Sequence, residues 1–511
     1  MAFRVVDFFP PINPLENDLF LLRDNWNDWF EFRTQFTLAV PTPSDYKVLG
    51  SVKIGCFTMF GDAPPLPAAF EALGDAFFSV GQDPSFYEEV ANLGPAERIR
   101  ILTSLRDFAY NLDIYEAAKG EYVTTRSLMR SLNELTVREQ FNRMARGGAR
   151  LTPYQFRYMI PKSDPYEVVD FHEVEFQVEP DSRPPSNVHV LIGRNGVGKT
   201  TLLANMSIDL LAAGSDPVSL GYFISAGNQG SPGLFANLVS VTFSAFDPFR
   251  KPSENAQIKY SYIGLLRGGE NVQSPVAPKT FNDLSTEFTQ SVVSCLSTPE
   301  KAERWKNTLL ILQSDPIFAE SDVSSLTAFT APDRTVVAGV ARRLFEQLSS
   351  GHKIVLLTIT RLVESVDEKS LVLVDEPEAH LHPPLLAAFV RALSDLLVDR
   401  NGVAIIATHS PVVLQEVPRS CVWKIRRSGR ELAIERPQIE TFGENVGLLT
   451  REIFGLEVTK SGFHRMISDA VSRGHTFNEI ESLFGDSLGG EARSVARALI
   501  AIRDRPTRGR E

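Results

Sequence analysis

The clearest chemistry in the chain lies in Leu191-Ile192-Gly193-Arg194-Asn195-Gly196-Val197-Gly198-Lys199-Thr200-Thr201. Glycines at 193, 196 and 198 let the backbone curl until successive N–H groups point at one centre, which suits phosphate oxygens. Lys199 is spaced to reach the β- and γ-phosphates of a nucleotide, and Thr200 offers a hydroxyl to Mg²⁺. Arg194, Asn195, Val197 and Thr201 complete the loop and its first helical turn. The mostly apolar run Val188 to Ile192 precedes it and Leu202-Leu203-Ala204-Asn205-Met206 follows. Strand, loop and helix is the order a phosphate cradle needs, and the helix adds its positive N-terminal end.

Two further stretches place polar groups at the ends of buried strands. Leu371-Val372-Leu373-Val374 is apolar throughout, as a parallel sheet requires, and is followed by Asp375 and Glu376. There, Asp375 is suited to hold Mg²⁺ through water and Glu376 to polarise an attacking water. Gly402 to Thr408 is a second buried run, and it delivers His409, suited to sense a γ-phosphate beside a nucleotide. Between the loop and the acids, Leu348-Ser349-Ser350-Gly351-His352-Lys353 is a serine/glycine turn opening a helix. Read alone it is an ordinary cap, with a helix N-terminus free to receive an anion.

The elements that must position these groups are spread over 511 residues, enough for several domains, with 43% hydrophobic and 23% charged residues typical of a soluble globular chain. No run of 18 apolar residues suggests a membrane span, and Met1 to Asp7 lacks a secretory leader pattern. Cys56, Cys295 and Cys421 are far apart, form no metal or redox motif and suit a reducing, cytoplasmic setting. A net charge of −11 argues against generic wrapping of nucleic acid.

Residues 1–25 read as an irregular arm. Strands are expected at Trp26 to Val40 and Lys47 to Phe60, as an antiparallel pair with Tyr46 in the connection. Helices follow at Pro67 to Phe77, Pro95 to Leu112 and Thr124 to Arg146. Arg126, Arg130, Arg138, Arg143, Arg146 and Arg150 against Glu134 and Glu139 make the last of these basic. A solvated face is preferred there to a nucleic-acid contact. Strands return at Pro153 to Ile160 and Tyr166 to Val178. Beyond the glycine loop come a helix at Leu202 to Ala213, strands at Leu238 to Phe243 and Ile258 to Gly264, and helices over 280–313 and 332–350. No sustained heptad runs through them. A hairpin at Trp423 to Arg426 and Glu431 to Arg436 leads to a helical tail, expected to be disordered past Asp504. The implied division is an arm (1–25), strands with a helical insertion at 66–150 (26–186), a phosphate-loop core with a helical lobe at about 250–353 (187–420), and a C-terminal hairpin and tail (421–511).

Taken in order, Gly193 to Thr200, Leu348 to His352, Asp375-Glu376 and His409 resemble an ABC-type ATPase. Asp375-Glu376-Pro377-Glu378-Ala379-His380-Leu381-His382-Pro383 and Ala407-Thr408-His409-Ser410-Pro411 look like its soluble branch. That branch includes SMC heads, RecF-type repair ATPases, OLD-family proteins and ATPase subunits of anti-phage systems such as Septu. The resemblance covers residues 188 to 415 and implies an α/β P-loop head with a parallel core sheet, an antiparallel β-subdomain and a helical lobe. Residues 26 to 60 and 154 to 178 would supply the β-subdomain. It also implies a head-to-tail homodimer, or a higher homo-oligomer, sandwiching ATP with Mg²⁺. Ser349 and Gly351 of one copy would complete the site that Lys199 and Thr200 build in the other. Glu376 would be the general base, Asp375 would support Mg²⁺ and His409 would contact the γ-phosphate.

The turn here is Leu-Ser-Ser-Gly-His where the family's usual sequence is Leu-Ser-Gly-Gly-Gln, so His352 replaces an amide. The family's Q-loop glutamine has no clear counterpart: Gln229, Gln257 and the turn Ser244 to Asp247 are the candidates. Slow or partner-gated hydrolysis is expected. A span of 150 residues from Lys199 to Ser349 leaves room for a lobe but not for a long coiled-coil arm. After Pro411 no clustered acids suggest a nuclease, and His464 and His475 lie in helical surroundings. The expectation is a cytoplasmic ATP-driven switch acting in anti-phage defence on a separately encoded effector, a nuclease, without a membrane. The alternative is a RecF-like repair ATPase that binds DNA itself.

Overall fold

The computed structural model describes every residue except 1, 12–17, 30, 60, 149, 163–170, 212–219, 226–227, 230–233, 244–257, 268–276, 330–333, 430, 456–461, 486 and 505–511. Gln257, the turn Ser244 to Asp247 and the tail past Asp504 therefore lie outside the described residues. Of Gln229 only the backbone is described.

The N-terminal third is built on a sheet of β1 (Phe3–Val6), β2 (Leu19–Arg23), β3 (Gln35–Pro41), β4 (Tyr46–Cys56), β5 (Ala69–Phe70) and β6 (Phe77–Gly81), in the order β5-β1-β2-β3-β4-β6. Helices α1 (Pro84–Asn92), α2 (Pro95–Ser104), α3 (Leu112–Ala118) and α4 (Asn142–Ala145) accompany it. Their apolar faces and the sheet share one core, which includes Phe78, Phe86, Tyr87, Phe108 and Phe141.

Several expectations are corrected here. Within residues 1–25, expected as an irregular arm, β1 and β2 pair in parallel and join the sheet. The strand expected from Trp26 begins only at Gln35, because Trp29 takes a φ of 56° and Asp28 bridges to Phe32 in a tight turn. Tyr46 opens β4 opposite Pro41 and is not in the connection. Pro67 to Phe77 is not a helix: Ala69–Phe70 pairs with β1, and Phe77 begins β6, which pairs with β4. The helix expected over Pro95 to Leu112 ends at Ser104, and a new one starts at Leu112. Thr124 to Arg146 is broken into π-helical turns at Thr124–Leu128 and Thr136–Phe141 before α4.

A second sheet, ordered β11-β10-β7-β8, is antiparallel and joins β7 (Tyr154–Pro161), β8 (Phe171–Val178), β10 (Tyr222–Ser225) and β11 (Asn228–Gln229). The strands around residues 26–60 and 154–178, expected to share one β-subdomain, therefore belong to different sheets.

The core sheet contains β9 (Val188–Ile192), β12 (Asn237–Thr242), β13 (Lys259–Gly264), β14 (Ser370–Asp375), β15 (Val403–Thr408), β16 (Val422–Ser428) and β17 (Glu431–Glu435). Its order is β13-β12-β14-β15-β9-β16-β17, parallel throughout except for the final β16–β17 hairpin. The hairpin expected as a C-terminal addition thus puts β16 inside the sheet, next to β9.

Strand alternation sends Val372, Val374, Ala404 and Ile406 to one face and Leu371, Leu373, Ile405 and Ala407 to the other. The first face is covered by α6 (Phe281–Cys295), α7 (Pro299–Leu312), α8 (Pro316–Ser321), α9 (Arg334–Gln347), α10 (Ser350–Ser365) and α11 (Pro383–Arg400). The second is covered by α5 (Lys199–Leu211) and the antiparallel sheet. With layers on both faces, this is the expected α/β P-loop architecture.

Buried charge bolts the N-terminal third to the core. Asp83, the N-cap of α1, pairs with Arg304 of α7 and with Arg400 at the end of α11, the latter at 3.1 Å. Burial alone would raise the Asp83 carboxyl, but the two guanidinium groups hold it well below the usual range. Arg400 also reaches Asp367 at 3.2 Å, Arg143 pairs with Glu368 at 2.8 Å and Lys369 with Glu139 at 2.6 Å. The basic stretch Arg126 to Arg150 is largely ion-paired, mostly within the N-terminal third. Arg126 meets Glu31, Arg130 meets Asp28, Arg138 meets Glu116 and Glu134, and Arg150 meets Glu88 and Asp399. Arg143 and Arg150 tie the stretch to the core, while Arg126, Arg138 and Arg146 lie on the partly solvated face that was expected.

Candidate nucleotide site

Parallel pairing brings the sequence-selected residues to one edge of the core sheet. Asp375 is level with Ala407, and Thr408 with Ile192, so Gly193, Glu376 and His409 leave three strands side by side. Gly196 and Gly198 have φ of 80° and 100°, backbone that disfavours any side chain. A Cβ on Gly193 would lie 2.3 Å from the Ile425 carbonyl oxygen of β16, so the loop fits against that strand only without one.

Lys199 is 4% exposed, and its ammonium donates to the Gly193 and Arg194 carbonyls at 3.0 and 2.9 Å. Burial lowers its pKa, while Glu376, Glu378 and Asp375 pull it back up, which places this lysine in the field of all three acids. The Thr200 hydroxyl donates to Asp375 Oδ1 at 3.2 Å. A hydroxyl and a carboxylate oxygen at that spacing are a fitting donor pair for Mg²⁺, a hard ion that takes oxygen ligands.

Glu376 has a φ of 45°, in a region that costs a residue with a side chain about 1–3 kcal/mol. Its N–H is tied to the Ala407 carbonyl at 2.9 Å, so the strained turn is held between β14 and β15. His409 Nδ1 lies 3.8 Å from Glu376 and 3.0 Å from Glu378 Oε1. The same Glu378 oxygen accepts from the Thr408 hydroxyl and the His409 N–H, both at 2.6 Å. Glu378 thus fixes the histidine's backbone and faces its ring, a role that strand-end reasoning did not anticipate.

A cleft of about 480 Å³ opens beside the loop, lined by Arg194, Asn195, Gly196, Val197, His409, Arg427 and Phe454. That volume lies within the roughly 300–1,000 Å³ of small-molecule pockets. Arg427, from β16, and Phe454, which ends α13 (Val446–Phe454, with α12 at Pro411–Leu414 before it), were not foreseen. The Arg427 guanidinium approaches Gly198, 3.8 Å from where a Cβ would be. The basic run Lys424-Ile425-Arg426-Arg427 was the available signal.

Ser349 and Gly351 do not line this cleft. Ser349 caps α10, and a Cβ on Gly351 would come within 2.9 Å of the His380 carbonyl oxygen. The serine's Oγ is 2.6 Å from His352 Nδ1, and His352 Nε2 is 3.0 Å from Asp315 Oδ1. Burial raises the Asp315 carboxyl, but hydrogen bonds from His352 and from the Ile317 and Phe318 N–H groups outweigh it and hold the pKa below the ordinary value. The chain therefore carries two polar centres: the loop with the strand-end acids, and the serine turn with its histidine.

Beneath the loop, His189 of β9 is fully buried. Nε2 faces the Gln177 carbonyl at 3.2 Å, and the Phe176 ring meets the imidazole edge-on. Burial, with Arg436 nearby, pushes its pKa down to about 3.

Comparison with known proteins follows this geometry. Residues 280–415 match a family model described as "AAA domain, putative AbiEii toxin, Type IV TA system". Protein ea59 of Escherichia phage lambda is 39% identical over 534 residues, spanning 99% of both chains. The chain belongs to the ea59 family. Among solved structures, it is similar to an ATP-binding cassette of an ABC transporter in its ADP conformation. That match has 14% identity and a TM-score of 0.31, and covers 60% of this chain and 98% of that one. Another is cbiO1 of Clostridium perfringens, part of the ABC transporter complex cbiONQ, at 16% identity, TM-score 0.28 and coverage of 52% and 82%. The ea59-family chain matches the AAA-domain model over residues 280–415, and its parallel core sheet carries the phosphate-loop sequence at the end of β9. Among its described residues no helix is long and apolar enough to cross a membrane.

Proposed function

We propose that the chain binds ATP with Mg²⁺, hydrolyses it, and uses the cycle as a switch. The observation that carries this reading is the convergence of Lys199, Thr200–Asp375, strained Glu376 and Glu378-held His409 at one sheet edge. The loop N–H groups would bind the phosphates, and Lys199 would exchange the Gly193 and Arg194 carbonyls for phosphate oxygens. Thr200 and Asp375 would hold Mg²⁺, which neutralises phosphate charge when bound. Glu376 would take the proton of the attacking water, and His409 would donate to the γ-phosphate.

The separation of Ser349 and Gly351 from the loop cleft supports a head-to-tail dimer, in which each copy's serine turn covers the other's nucleotide. ATP would close such a dimer because both copies share its charge. We further propose that this closure controls a separately encoded effector, a nuclease, in conflict between phage and host. A relative encoded by a phage and a matched family described in toxin–antitoxin terms agree with that setting. The ion-paired state of the Arg126 to Arg150 stretch favours an effector over direct DNA binding.

The test compares three variants by nucleotide binding, turnover and sedimentation. Lys199→Ala should lose ATP binding. Glu376→Gln should keep binding, lose at least about 100-fold in turnover and accumulate as dimer with ATP. Ser349→Arg should bind ATP as a monomer. Wild-type turnover by Glu376→Gln would remove the base assignment, and ATP-dependent dimerisation of Ser349→Arg would remove the head-to-tail arrangement.

A further inference from the structure

The serine turn contains more than a helix cap needs. Asp315, the N-cap of α8, His352, in the first turn of α10, and His382, the N-cap of α11, bring one ligand atom each within 4.8 Å of one another. His352 Nε2 lies 3.0 Å from one Asp315 oxygen and His382 Nε2 lies 3.6 Å from the other. We propose that Asp315, His352 and His382 bind one divalent transition-metal ion of the zinc class.

The spacing suits such an ion. Zinc bonds to imidazole nitrogen and carboxylate oxygen of about 2.0–2.2 Å put neighbouring ligand atoms of a tetrahedral site about 3.3 Å apart. The His352 Nε2–Asp315 Oδ1 separation of 3.0 Å is close to that value, and the second Asp315 oxygen faces His382 Nε2 at 3.6 Å. Three helix starts meeting at one point would by themselves favour an anion. The buried Asp315 side chain, which accepts from the Ile317 and Phe318 N–H groups, puts oxygen ligands at the centre. Two neutral imidazoles and one carboxylate make a ligand set that selects a borderline ion over Mg²⁺ or Ca²⁺. Asp315 and His352 are buried while His382 is about half exposed, so the site has a rigid floor and a solvent-facing side for a fourth ligand.

The outer contacts also fit. A metal on His352 Nε2 needs the proton on Nδ1, and Ser349 Oγ, 2.6 Å away, can accept it. Without metal, the ring is held between Ser349 Oγ at Nδ1 and Asp315 at Nε2. With metal on Nε2, Nδ1–H donates to the serine oxygen and the serine proton points outward. His382 must give up the long 3.4 Å bond its Nδ1 accepts from the Leu385 N–H. Metal would then pin the helical lobe, through α8 and α10, to the loop that follows Asp375 and Glu376. The proposal does not rest on ATP turnover.

The experiment uses the untagged full chain purified with zinc supplementation, metal content by mass spectrometry, and Co²⁺ as a spectroscopic probe. About one equivalent of zinc per chain is expected in the wild type and in Lys199→Ala, with a Co²⁺ absorption spectrum of low coordination number. His382→Ala, an exposed change that spares the fold, should bind at least about 10-fold more weakly. His352→Ala and Asp315→Asn should lose the metal and the spectrum. Wild type with less than about 0.2 equivalents, or His382→Ala with unchanged affinity, would overturn the site and leave a hydrogen-bonded cluster only. Loss of metal in Lys199→Ala would also overturn it, by moving the ion to the nucleotide site.

Discussion

Acid should loosen the strand under the phosphate loop, and His189 is the reason. Its ordinary pKa of 6.5 falls to about 3 in the fold because no water reaches the ring. The folded state therefore holds the neutral form, while an unfolded chain takes up a proton as pH drops below 6.5. Stability from this group is complete above 6.5 and drains away as pH falls towards 3. Each pH unit inside that window removes about 1.4 kcal/mol, so about pH 4.5 should show a loss of roughly 3 kcal/mol. Replacing the ring with one that cannot titrate isolates the effect, and His189→Phe beside Phe176 does so. Urea unfolding of both proteins at about pH 7 and pH 4.5 gives two stability differences. Packing changes appear at both pH values and cancel. The gap between wild type and variant should shift by roughly 3 kcal/mol in favour of the variant on acidification, with faster amide exchange in residues 188–192 of the wild type. A shift below about 1 kcal/mol would refute the burial argument.

Three more outcomes follow from buried charge. Asp83→Ala leaves Arg304 and Arg400 facing each other without their shared carboxylate, and should cost about 3–5 kcal/mol, read as a lower urea midpoint. Glu378→Ala frees the Thr408 hydroxyl and both His409 contacts; turnover should fall roughly 10- to 100-fold while ATP affinity, measured by titration calorimetry, stays within about 3-fold. Asp107 is pushed up to about 6 by burial, so its contribution is present below its ordinary 3.8 and lost as pH rises through 6. Asp107→Asn should remove roughly 2 kcal/mol of that pH dependence between the two pH values of the same urea series.

The core sheet was legible because strands buried on both faces are apolar at nearly every position, His189 being the exception in β9. Val188 to Ile192, Leu371 to Val374 and Val403 to Thr408 stand out for that reason, and the polar residues that follow each are conspicuous by contrast. The N-terminal sheet was less legible. β1 finds β2 across a Pro-rich stretch, and Pro67 to Phe77 has the alanine and leucine content of a helix although β6 must pair with β4. Local propensity lost to long-range pairing. Asp315 lies far from His352 and His382 in sequence, and no spacing signals that their side chains meet. Glu378 was visible within its motif, but its hold on His409 depends on two strands being neighbours.

The position of β16 bears on how the chain is made. β9 must have β15 on one side and β16 on the other, and Gly193 rests against the Ile425 carbonyl. The nucleotide loop is thus encoded early, but its supporting walls are residues 403–408 and 422–428. A ribosome translating this chain exposes β9 long before either neighbour emerges. Competence to bind nucleotide should therefore arrive abruptly near the end of synthesis, leaving nascent chains inert and truncated products unable to bind nucleotide.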